Sequence, residues 1–439
     1  MEARACPAGA PVVDCFNPNS PEYPSKRLQW FEEARQSAGP VFWTPNGGGH
    51  WVVIGYEELL EAAKDWETFS SKALFDENGE AQPVDGVAYL GLFTPPKIGP
   101  SLPLIEDDPP RWEKLRETLA PAFALPAIER WRPRIQTLVD ACLDRHIESG
   151  RMDLAEDLFN IVPAIFSLEF VGADTTEHRR IARARTVLSH LANDDPRRVL
   201  FKDEIELEYR AVHDAIEARK SDRRKDLVSH MLNARDKGAP FTDPTIFDLG
   251  TLIIGAGVDT TASVLGSSFI ELSRRPDLRE RLAANPGQTA KAFEEFVRFG
   301  APTQGLCRTA TRDVELSGQK IRKGDRIMLC YGASCRDPRE FANPSEVDLD
   351  RKPLLHSGFG GGIHRCIGSL FARLEFEIIL TTVLRRMPDI RVEMDGVEEF
   401  ANVGLVTGFV HIPATFTPGA RVGADPQIPG WTQDETLAA

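Results

Sequence analysis

The feature that most constrains this chain is a glycine-rich stretch that delivers one cysteine to the beginning of a predicted helix. Residues 359–368 read Phe-Gly-Gly-Gly-Ile-His-Arg-Cys-Ile-Gly, and apolar side chains then recur at helical spacing at Leu370, Leu374 and Ile378. Cys366 is therefore predicted at a helix N-terminus, where the positive end of the helix dipole favours a thiolate. A thiolate is the form that a nucleophile or a metal ligand requires.

The residues of this loop are compatible with three interpretations. Cys366 can be an ordinary core cysteine, because free cysteine is among the most buried residue types. The glycines can indicate a phosphate-binding loop, but no Lys followed by Ser or Thr comes after them, which argues against that function. Alternatively, glycines at 360–362 let a flat group approach the backbone, with His364 and Arg365 as donors beside the sulfur. The residues alone leave the first and third interpretations open.

A second pattern lies in the most apolar predicted helix, over residues 249–273. It contains Ala-Gly-Val-Asp-Thr-Thr at 256–261, in which an acid precedes two alcohols. Glycines at 255 and 257 weaken a helix interior, and adjacent hydroxyl groups compete for backbone carbonyls. We therefore expect a local distortion of the helix at this motif.

Bulk properties exclude several classes of function. The chain has 439 residues and a formal net charge of −14, so it can enclose a cofactor and lacks the basic balance of a general nucleic-acid binder. Its seven cysteines lack metal-site spacing such as Cys-x-x-Cys, which favours free thiols in a reducing compartment. Residues 1–20 have no signal-peptide core, and residues 249–270, although nearly long enough to span a membrane, contain Asp259. We expect a cytoplasmic protein that binds neither membrane nor nucleic acid.

The rest of the chain predicts many helices and little sheet. Apolar runs within residues 41–54, separated by three glycines, predict a hairpin, and residues 56–64 predict a helix after it. Residues 108–110, Asp-Pro-Pro, predict a helix start with the acid as its cap. A succession of helices follows over 125–245. Residues 402–416 predict a further hairpin.

Taken in order, four patterns give this chain a resemblance to the cytochrome P450 family of haem-thiolate monooxygenases. The cysteine loop matches F-G-x-G-x-[H/R]-x-C-x-G, and residues 256–260 match [A/G]-G-x-[D/E]-T. Glu295 and Arg298 match the family pattern E-x-x-R. Residues 108–116 resemble D-P-P-x-H-x-x-x-R, although Trp112 stands where histidine is common. The resemblance covers nearly the whole chain and points to the bacterial type.

The resemblance implies a mainly α-helical fold, a single helical domain with small β-sheets around a buried haem b. The domain would span residues 21–419, between a flexible segment at 1–20 and a disordered tail at 420–439. The implied ligand of the haem iron is Cys366. The residues that would contact the haem are Trp112, Arg116, Ala256, Arg308, Phe359, Gly360, His364 and Cys366. Their arginine, histidine and indole N–H groups suit the two haem propionates, which need charge-assisted donors.

The resemblance also implies roles for the other two motifs. In the family, the helix that carries residues 256–260 crosses the oxygen-binding face of the haem, so we expect Thr260 to hold O2 and a water molecule while Asp259 relays protons. The alternative for Asp259 is a buried acid paired with a basic residue. Glu295 and Arg298 are expected to form a structural ion pair, although such i,i+3 pairs are also common on exposed helices.

The predicted substrate pocket draws on several separated segments. Residues 76–105 form a long apolar loop without a sustained period, and loops of this length are often functional. An equal alternative is that its apolar side chains only pack the loop onto the core. Gln304 indicates either a polar group on the substrate or a side chain turned to solvent. The pocket candidates are Leu90, Phe93, Leu252, Gly255, Thr303, Gln304, Val403 and Leu405.

The resemblance implies a monooxygenase that uses O2 and two externally supplied electrons to hydroxylate or otherwise oxidise a small organic molecule. No flavin or iron–sulfur domain is apparent, so the electrons would come from a ferredoxin and its ferredoxin reductase, with Lys114 and Arg365 in a local basic patch. Three alternatives stay open: oxidative C–C or C–N coupling, peroxide-driven oxidation at the same haem, and a haem-binding or sensing protein without catalysis.

Overall fold

The computed structural model describes residues 4–76, 78–94, 96, 101–191, 196–239, 241–352, 355–401, 406–429 and 431. Val403 and Leu405, expected in the substrate pocket, lie outside this part of the chain. The chain forms two compact units. The first unit comprises Met1–Arg116, Val297–Cys366 and Ala401–Thr407, and the second comprises Glu117–Phe296, Ile367–Phe400 and Gly408–Ala439.

Helices dominate the described residues, which confirms the expected mainly α-helical class. In chain order they are α1 (Tyr23–Ala38), α2 (Tyr56–Lys64), α3 (Arg111–Leu119), α4 (Leu125–Glu129), α5 (Arg132–Asp144), α6 (Ile161–Val171), α7 (His178–His190), α8 (Lys202–Ser221), α9 (Leu227–Arg235), α10 (Asp243–Arg274), α11 (Pro276–Ala284), α12 (Thr289–Gly300), α13 (Tyr331–Ser334) and α14 (Ser369–Arg386). A π-helical turn covers Ala155–Phe159, and 3₁₀ turns include Pro196–Phe201 and Gly362–His364.

The strands are short. In chain order they are β1 (Val41–Thr44), β2 (His50–Val53), β3 (Phe69–Ser70), β4 (Pro83–Val84), β5 (Val87–Ala88), β6 (Arg151–Asp153), β7 (Leu306–Ala310), β8 (Val314–Leu316), β9 (Gln319–Ile321), β10 (Arg326–Leu329), β11 (Arg391–Val392), β12 (Glu398–Glu399), β13 (Phe409–His411) and β14 (Pro413–Thr415).

The first unit is built on a five-stranded sheet in the order β1-β2-β10-β7-β3. Strands β1 and β2 form the predicted antiparallel hairpin, with Trp43 opposite Trp51 and their rings in edge contact at 5.6 Å. Strand β10 runs parallel to β2 and antiparallel to β7, which in turn pairs with β3. The sheet holds Arg308 in β7 at a fixed register opposite Ile327 of β10.

Alternation along these strands gives the sheet two buried faces. Phe42 and Val52 pack on one face with residues of α1, whereas Trp43, Trp51 and Val53 pack on the other face with residues of α2. This is the two-residue period expected of a strand, here with apolar side chains on both sides. Both faces are covered, so every residue of β1 and β2 is buried, polar Thr44 and His50 included.

The segment before α1 is ordered within the first unit, contrary to the flexible segment expected at 1–20. The backbone N–H of Val13 donates to the carbonyl of Trp43, and that of Trp43 donates to Pro11. Phe16 is fully buried, and Arg4 forms an ion pair with Asp325 at 3.1 Å. Backbone pairing with β1 therefore orders residues that a polar, proline-bearing composition left unassigned.

The expected helix start at residues 108–110 lies three residues too early. Helix α3 begins at Arg111, and the Asp108 carboxylate accepts hydrogen bonds from Ser70 Oγ at 2.5 Å and from the Ser71 N–H at 3.1 Å. The Asp108 carboxylate thus binds the end of β3 and not the first N–H groups of α3. The sequence pattern could not show which of these two sets of N–H groups the carboxylate would bind.

The second unit is organised around α10, a helix of 32 residues that packs against α6, α7, α8, α9 and α14. Thr242 caps it by accepting from the N–H of Thr245, and Pro244 occupies its first turn. By length and composition α10 is the one described helix suited to cross a membrane, but 56% of its most apolar window is buried. The helix is thus the buried central helix that the sequence predicts.

The tail of the second unit is ordered as far as the structure describes it, contrary to the disorder expected at 420–439. The Asp144 carboxylate at the end of α5 accepts hydrogen bonds from the backbone N–H groups of residues 422–424 and from Arg386. The Trp431 ring then stacks on His178, the first residue of α7, with ring centroids 5.8 Å apart. One buried carboxylate satisfies three consecutive N–H groups, which orders a segment rich in glycine and proline.

The predicted hairpin over residues 402–416 is wrong in its pairing. Strand β13 pairs with β12, whereas β14 pairs with β6 and β11 in a separate three-stranded sheet. The two adjacent strands therefore belong to different sheets. Their alternating residues carry no signal that separates a hairpin from two strands with distant partners.

His50 makes the stability of the first unit dependent on pH. Its side chain is 1% exposed, and burial together with the nearby Arg326 lowers its pKa from 6.5 to about 3, although the backbone of Asn46 partly opposes the shift. Between these pH values the unfolded chain binds a proton that the folded chain excludes. Stability is therefore complete above pH 6.5 and falls as the pH decreases.

We predict that His50→Gln reduces this loss of stability in acid. One pKa unit corresponds to about 1.4 kcal/mol, so His50 alone should lower the free energy of unfolding by about 2 kcal/mol between about pH 7 and about pH 5. Urea unfolding of both proteins at the two pH values gives the difference. Equal losses in the wild type and the variant would show that His50 does not titrate in this way.

Candidate functional site

The cysteine loop is a closed turn that precedes α14. The N–H of Cys366 donates to the carbonyl of Phe359 at 2.9 Å, and Gly360 and Gly362 adopt positive φ angles of 74° and 61°. Helix α14 begins at Ser369, three residues after Cys366, so the cysteine lies just outside the helix rather than in its first turn. The dipole acts mainly within the first turn, so its effect on the sulfur is smaller than expected. The Cys366 side chain is exposed.

Two glycines of the loop face the end of α2. A Cβ atom on Gly362 would overlap the carbonyl oxygen of Ala63, and a Cβ atom on Gly361 would lie 3.0 Å from the Leu60 side chain. The positive φ of Gly362 also disfavours any side chain. The close approach of the two backbones therefore requires glycine and fixes the loop against α2.

Two buried donors converge beside this loop. The rings of Trp112 in α3 and His364 are in edge contact, with centroids 6.0 Å apart. Trp112 Nε1 and His364 Nε2 are shielded from solvent and have no hydrogen-bond partner among the described residues. Buried donors without partners are costly, and most of those found in proteins serve a ligand or a water molecule. This pair therefore fits an acceptor group supplied by a ligand.

Two arginines add positive charge at the same place. Burial, with Arg308 and Arg116 nearby, lowers the pKa of His364 to about 3, so its imidazole is neutral at physiological pH. Burial lowers the pKa of Arg116, and the Cys366 thiolate partly opposes this shift. Arg308 is buried in β7. The structure thus brings Trp112, Arg116, Arg308 and His364 together near Cys366. These residues fit a dianionic group such as the haem that the resemblance implies.

In the second unit, the motif of α10 leaves one stripe of the helix partly exposed. Leu252, Ala256 and Thr260 recur every four residues and are not buried, Gly255 next to Ala256 is partly exposed, and Asp259 is only 8% exposed. Thr260 Oγ1 donates to the carbonyl of Ala256 at 2.8 Å. The helix is continuous through the motif, so the local distortion expected there is not observed. These residues present apolar groups and the Thr260 hydroxyl.

Arg185 of α7 is a charged neighbour of this motif that the sequence did not indicate. Its guanidinium pairs with Glu208 of α8, with Nε 2.7 Å from Oε2. Burial lowers the pKa of Arg185, but Glu208 and Asp259 outweigh burial and raise it. Asp259 thus has a basic residue nearby, as its alternative interpretation required. Arg185 is far from the motif in sequence, and no local pattern connects them.

Of the pocket candidates Leu90, Phe93 and Thr303 in the first unit, one is buried and two are partly exposed. Leu90 pairs with Ala73 in an isolated bridge and is buried, while Phe93 is partly exposed. Thr303 is partly exposed and pairs with Val406. These residues are packed parts of the loops as well as pocket candidates.

Gln304 contradicts both interpretations offered for it. The side chain is 2% exposed, its Nε2 donates to the Ala301 carbonyl at 2.6 Å, and its Oε1 accepts from the Tyr23 hydroxyl at 3.2 Å. Both ends of the amide are satisfied inside the protein. Gln304 therefore ties the segment before β7 to α1 and faces neither solvent nor a substrate.

Glu295 and Arg298 of α12 are both fully buried. The guanidinium of Arg298 donates to the carbonyls of Cys335 at 3.0 Å, Pro344 at 2.8 Å and Glu346 at 2.9 Å. It also lies over the ring of Phe341. An arginine that satisfies three carbonyls of an irregular segment supports the expected structural role.

Comparison with known proteins gives matches over most of the chain. The sequence profile described as Cytochrome P450 matches residues 196–398. The mycinamicin IV hydroxylase/epoxidase of Micromonospora griseorubida is 30% identical over 350 residues, which cover 79% of this chain and 84% of that protein. The nocardicin C N-oxygenase of Nocardia uniformis subsp. tsuyamanensis is 29% identical over 401 residues, which cover 89% of this chain and 92% of that protein.

A solved structure confirms the expected fold. P450BioI in complex with an acyl carrier protein ligated to hexadec-9Z-enoic acid superposes with a TM-score of 0.78. The sequence identity is 25%, and the superposition covers 90% of this chain and 100% of that chain. The arrangement of helices and small sheets predicted from the four motifs is therefore the one observed.

We predict that Gly362→Ala disrupts the cysteine loop, whereas Gly360→Ala is a milder change. Both glycines have positive φ, which costs an alanine about 1 kcal/mol. Only at Gly362 would the new methyl group also overlap a backbone atom, because the nearest atom at Gly360 is 3.6 Å away. The free energy of unfolding in urea should fall by roughly 3 kcal/mol for Gly362→Ala. Equal losses in the two variants would contradict the required close approach to α2.

Proposed function

We propose that this chain, which belongs to the cytochrome P450 family and is a monooxygenase, uses O2 and two externally supplied electrons to oxidise a small organic molecule at a haem held by Cys366. The family has a haem-thiolate cofactor. We propose haem b, bound without a covalent link to the porphyrin, because the loop offers no Cys-x-x-Cys-His pattern for covalent attachment.

One observation carries the proposed cofactor site: Trp112 Nε1 and His364 Nε2, which have no partner among the described residues, converge with Arg116 and Arg308 beside Cys366. The indole supplies one N–H and each guanidinium supplies a fork of donors, whereas the single N–H of the neutral imidazole can lie on either ring nitrogen. Together they can satisfy two carboxylates away from water. Trp112 therefore replaces the histidine that is common at its position while keeping a donor there.

When bound, a haem with a thiolate ligand supplies the activation of O2 and the transfer of one oxygen atom. The chain supplies the surroundings for this chemistry. Cys366 would provide the thiolate, and the closed loop with Phe359 and Gly360 would hold the sulfur at a fixed position. Trp112, Arg116, Arg308 and His364 would hold the propionates.

Thr260 and Asp259 are proposed to manage protons. The Thr260 hydroxyl, which donates to Ala256, can turn to position O2 and a water molecule. The Asp259 carboxyl, buried one residue earlier, would pass protons inward to that hydroxyl. The stripe that carries Ala256 would contact the flat face of the cofactor.

The relatives indicate which oxidations are chemically within reach. One is named a hydroxylase/epoxidase and another an N-oxygenase. We propose hydroxylation of a small organic substrate as the reaction of this chain. Leu90, Phe93 and Thr303 of the first unit, and Leu252 and Gly255 of the second, stay pocket residues proposed from the resemblance. Val403 and Leu405 remain proposed from the sequence alone.

Electrons are proposed to come from a ferredoxin and its reductase in the cytoplasm. Lys114 and Arg365 are exposed, Arg365 belongs to the cysteine loop, and Lys114 lies in α3 two residues before Arg116, which is near Arg365. Such a patch attracts an acidic electron donor although the whole chain carries a charge of −14.

We predict that Cys366→Ser abolishes the strongly red-shifted Soret band of the reduced protein under carbon monoxide. A hydroxyl oxygen cannot replace thiolate donation to iron. Cys15→Ser is the matched control, because Cys15 is an exposed thiol far from the loop in sequence and should leave the band unchanged. Absence of a haem band in the wild type, or a band that survives in Cys366→Ser, would reject the proposed function.

We predict that Thr260→Ala uncouples electron consumption from product formation, whereas Thr260→Ser retains coupling. Removal of the hydroxyl should lower product formed per electron pair by about tenfold or more, with hydrogen peroxide released instead. The measurement is the ratio of oxidised substrate to reductant consumed, with peroxide titrated in parallel. Equal ratios in the alanine and serine variants would exclude a role for the Thr260 hydroxyl.

A further inference from the structure

We propose that Arg185 recognises the substrate, by donating a hydrogen bond from Nη1 to a neutral oxygen acceptor beside Gly255 of α10. A ketone, amide or hydroxyl oxygen would meet this description. The inference rests on the proposed function and narrows its substrate class from any small organic molecule to one that carries such an oxygen.

Arg185 lies directly against the proposed pocket. A Cβ atom placed on Gly255 would be 2.7 Å from Arg185 Nη1 and 3.0 Å from Cζ. A methyl group at this position of α10 would displace the end of the Arg185 side chain from where it lies. The side chain of Arg185 is 25% exposed, and Gly255 is partly exposed, so a bound molecule can reach both.

The hydrogen bonds of Arg185 leave one nitrogen available. Nε and Nη2 both bind the Glu208 carboxylate, and Nη2 also lies 3.5 Å from the Thr251 carbonyl. Nη1 donates to no acceptor among the described residues. Because Nη1 is also the atom closest to Gly255, its two N–H groups lie on the side of the guanidinium that faces α10.

The surrounding charge decides which acceptor fits. Glu208 is 2% exposed and binds the guanidinium in a bidentate manner, and Asp259 contributes a second negative charge nearby. Two carboxylates around one guanidinium leave no net positive charge. A substrate carboxylate would therefore be repelled, whereas a neutral oxygen gains the Nη1 hydrogen bond without this repulsion.

The position along α10 also fixes where the acceptor binds. Gly255 and Thr260 are five residues apart, which corresponds to about 7.5 Å along the helix axis. The acceptor oxygen would thus bind between one and two turns of α10 before the residue that is proposed to manage protons. Arg185 would in this way orient the substrate as well as select it.

The test compares binding of matched probes by calorimetry to the haem-loaded ferric protein. The probes are the hydrocarbon, ketone and carboxylate forms of three skeletons: adamantane, decalin and phenylcyclohexane. The variants are Arg185→Lys, which keeps the charge but removes the fork, and Gly255→Ala, whose methyl group displaces Nη1 while every charge stays. Arg180→Met is the control, because Arg180 is an exposed arginine of the same helix whose partners are Glu177 and Glu204.

We expect the wild type and Arg180→Met to bind at least one ketone about tenfold more tightly than its hydrocarbon and carboxylate counterparts. In Arg185→Lys and Gly255→Ala this preference should fall below about twofold. The proposal is overturned by a wild type that prefers no ketone, by a preference for carboxylates, or by a preference that survives both variants. The proposal is also overturned if the variants form less product per electron pair but keep the ketone preference. Arg185 would then act only through Asp259.

The spectrum under carbon monoxide separates this inference from the proposed function. A red-shifted Soret band in the wild type and in both variants shows that the haem-thiolate site is intact, so a lost or retained ketone preference then reports on Arg185 alone. A wild type without that band would reject the proposed function, and the inference with it.

Discussion

The contact between the cysteine loop and α2 is the constraint on which the candidate cofactor site depends. Gly362 approaches the carbonyl of Ala63 so closely that no side chain fits, and the N–H of Cys366 closes the loop on Phe359. A loop fixed at both places holds His364 against Trp112 and keeps Trp112 Nε1 and His364 Nε2 buried, without partners in the part of the chain that the structure describes. Polar atoms buried without partners lower the stability of the free protein, and a bound ligand or a water molecule can satisfy them.

The two candidate binding regions use charge in opposite ways. In the first unit, burial, with Arg308 and Arg116 nearby, lowers the pKa of His364 to about 3, and the two arginines give positive charge near the cysteine loop that suits a dianion. In the second unit, Arg185 is compensated by Glu208 and Asp259. The first arrangement is suited to retain a charged cofactor, and the second is suited to bind and release a neutral molecule.

Much of the fold and the central residues of the site could be predicted from the sequence because their signals are local. The cysteine loop, the hairpin of β1 and β2 and the motif of α10 each lie within a short run of residues. Arg185, Gln304 and the tail could not be predicted, since each acquires its role from distant partners. Gly423, for example, binds a carboxylate 279 positions away. The prediction that Asp108 caps α3 was wrong for a related reason. A capping residue is defined by the backbone N–H groups that its side chain contacts, and these are not visible in a local pattern.

The ordered tail has a consequence for protein engineering. Asp144 fixes residues 422–424, and Trp431 stacks on His178 at the start of α7, the helix that carries Arg185. An affinity tag or an electron-donor domain that replaced residues 432–439 would follow directly on this contact. A self-sufficient fusion enzyme should therefore place a long flexible linker there, so that the added domain leaves the tryptophan in its place between Arg145 and Arg179.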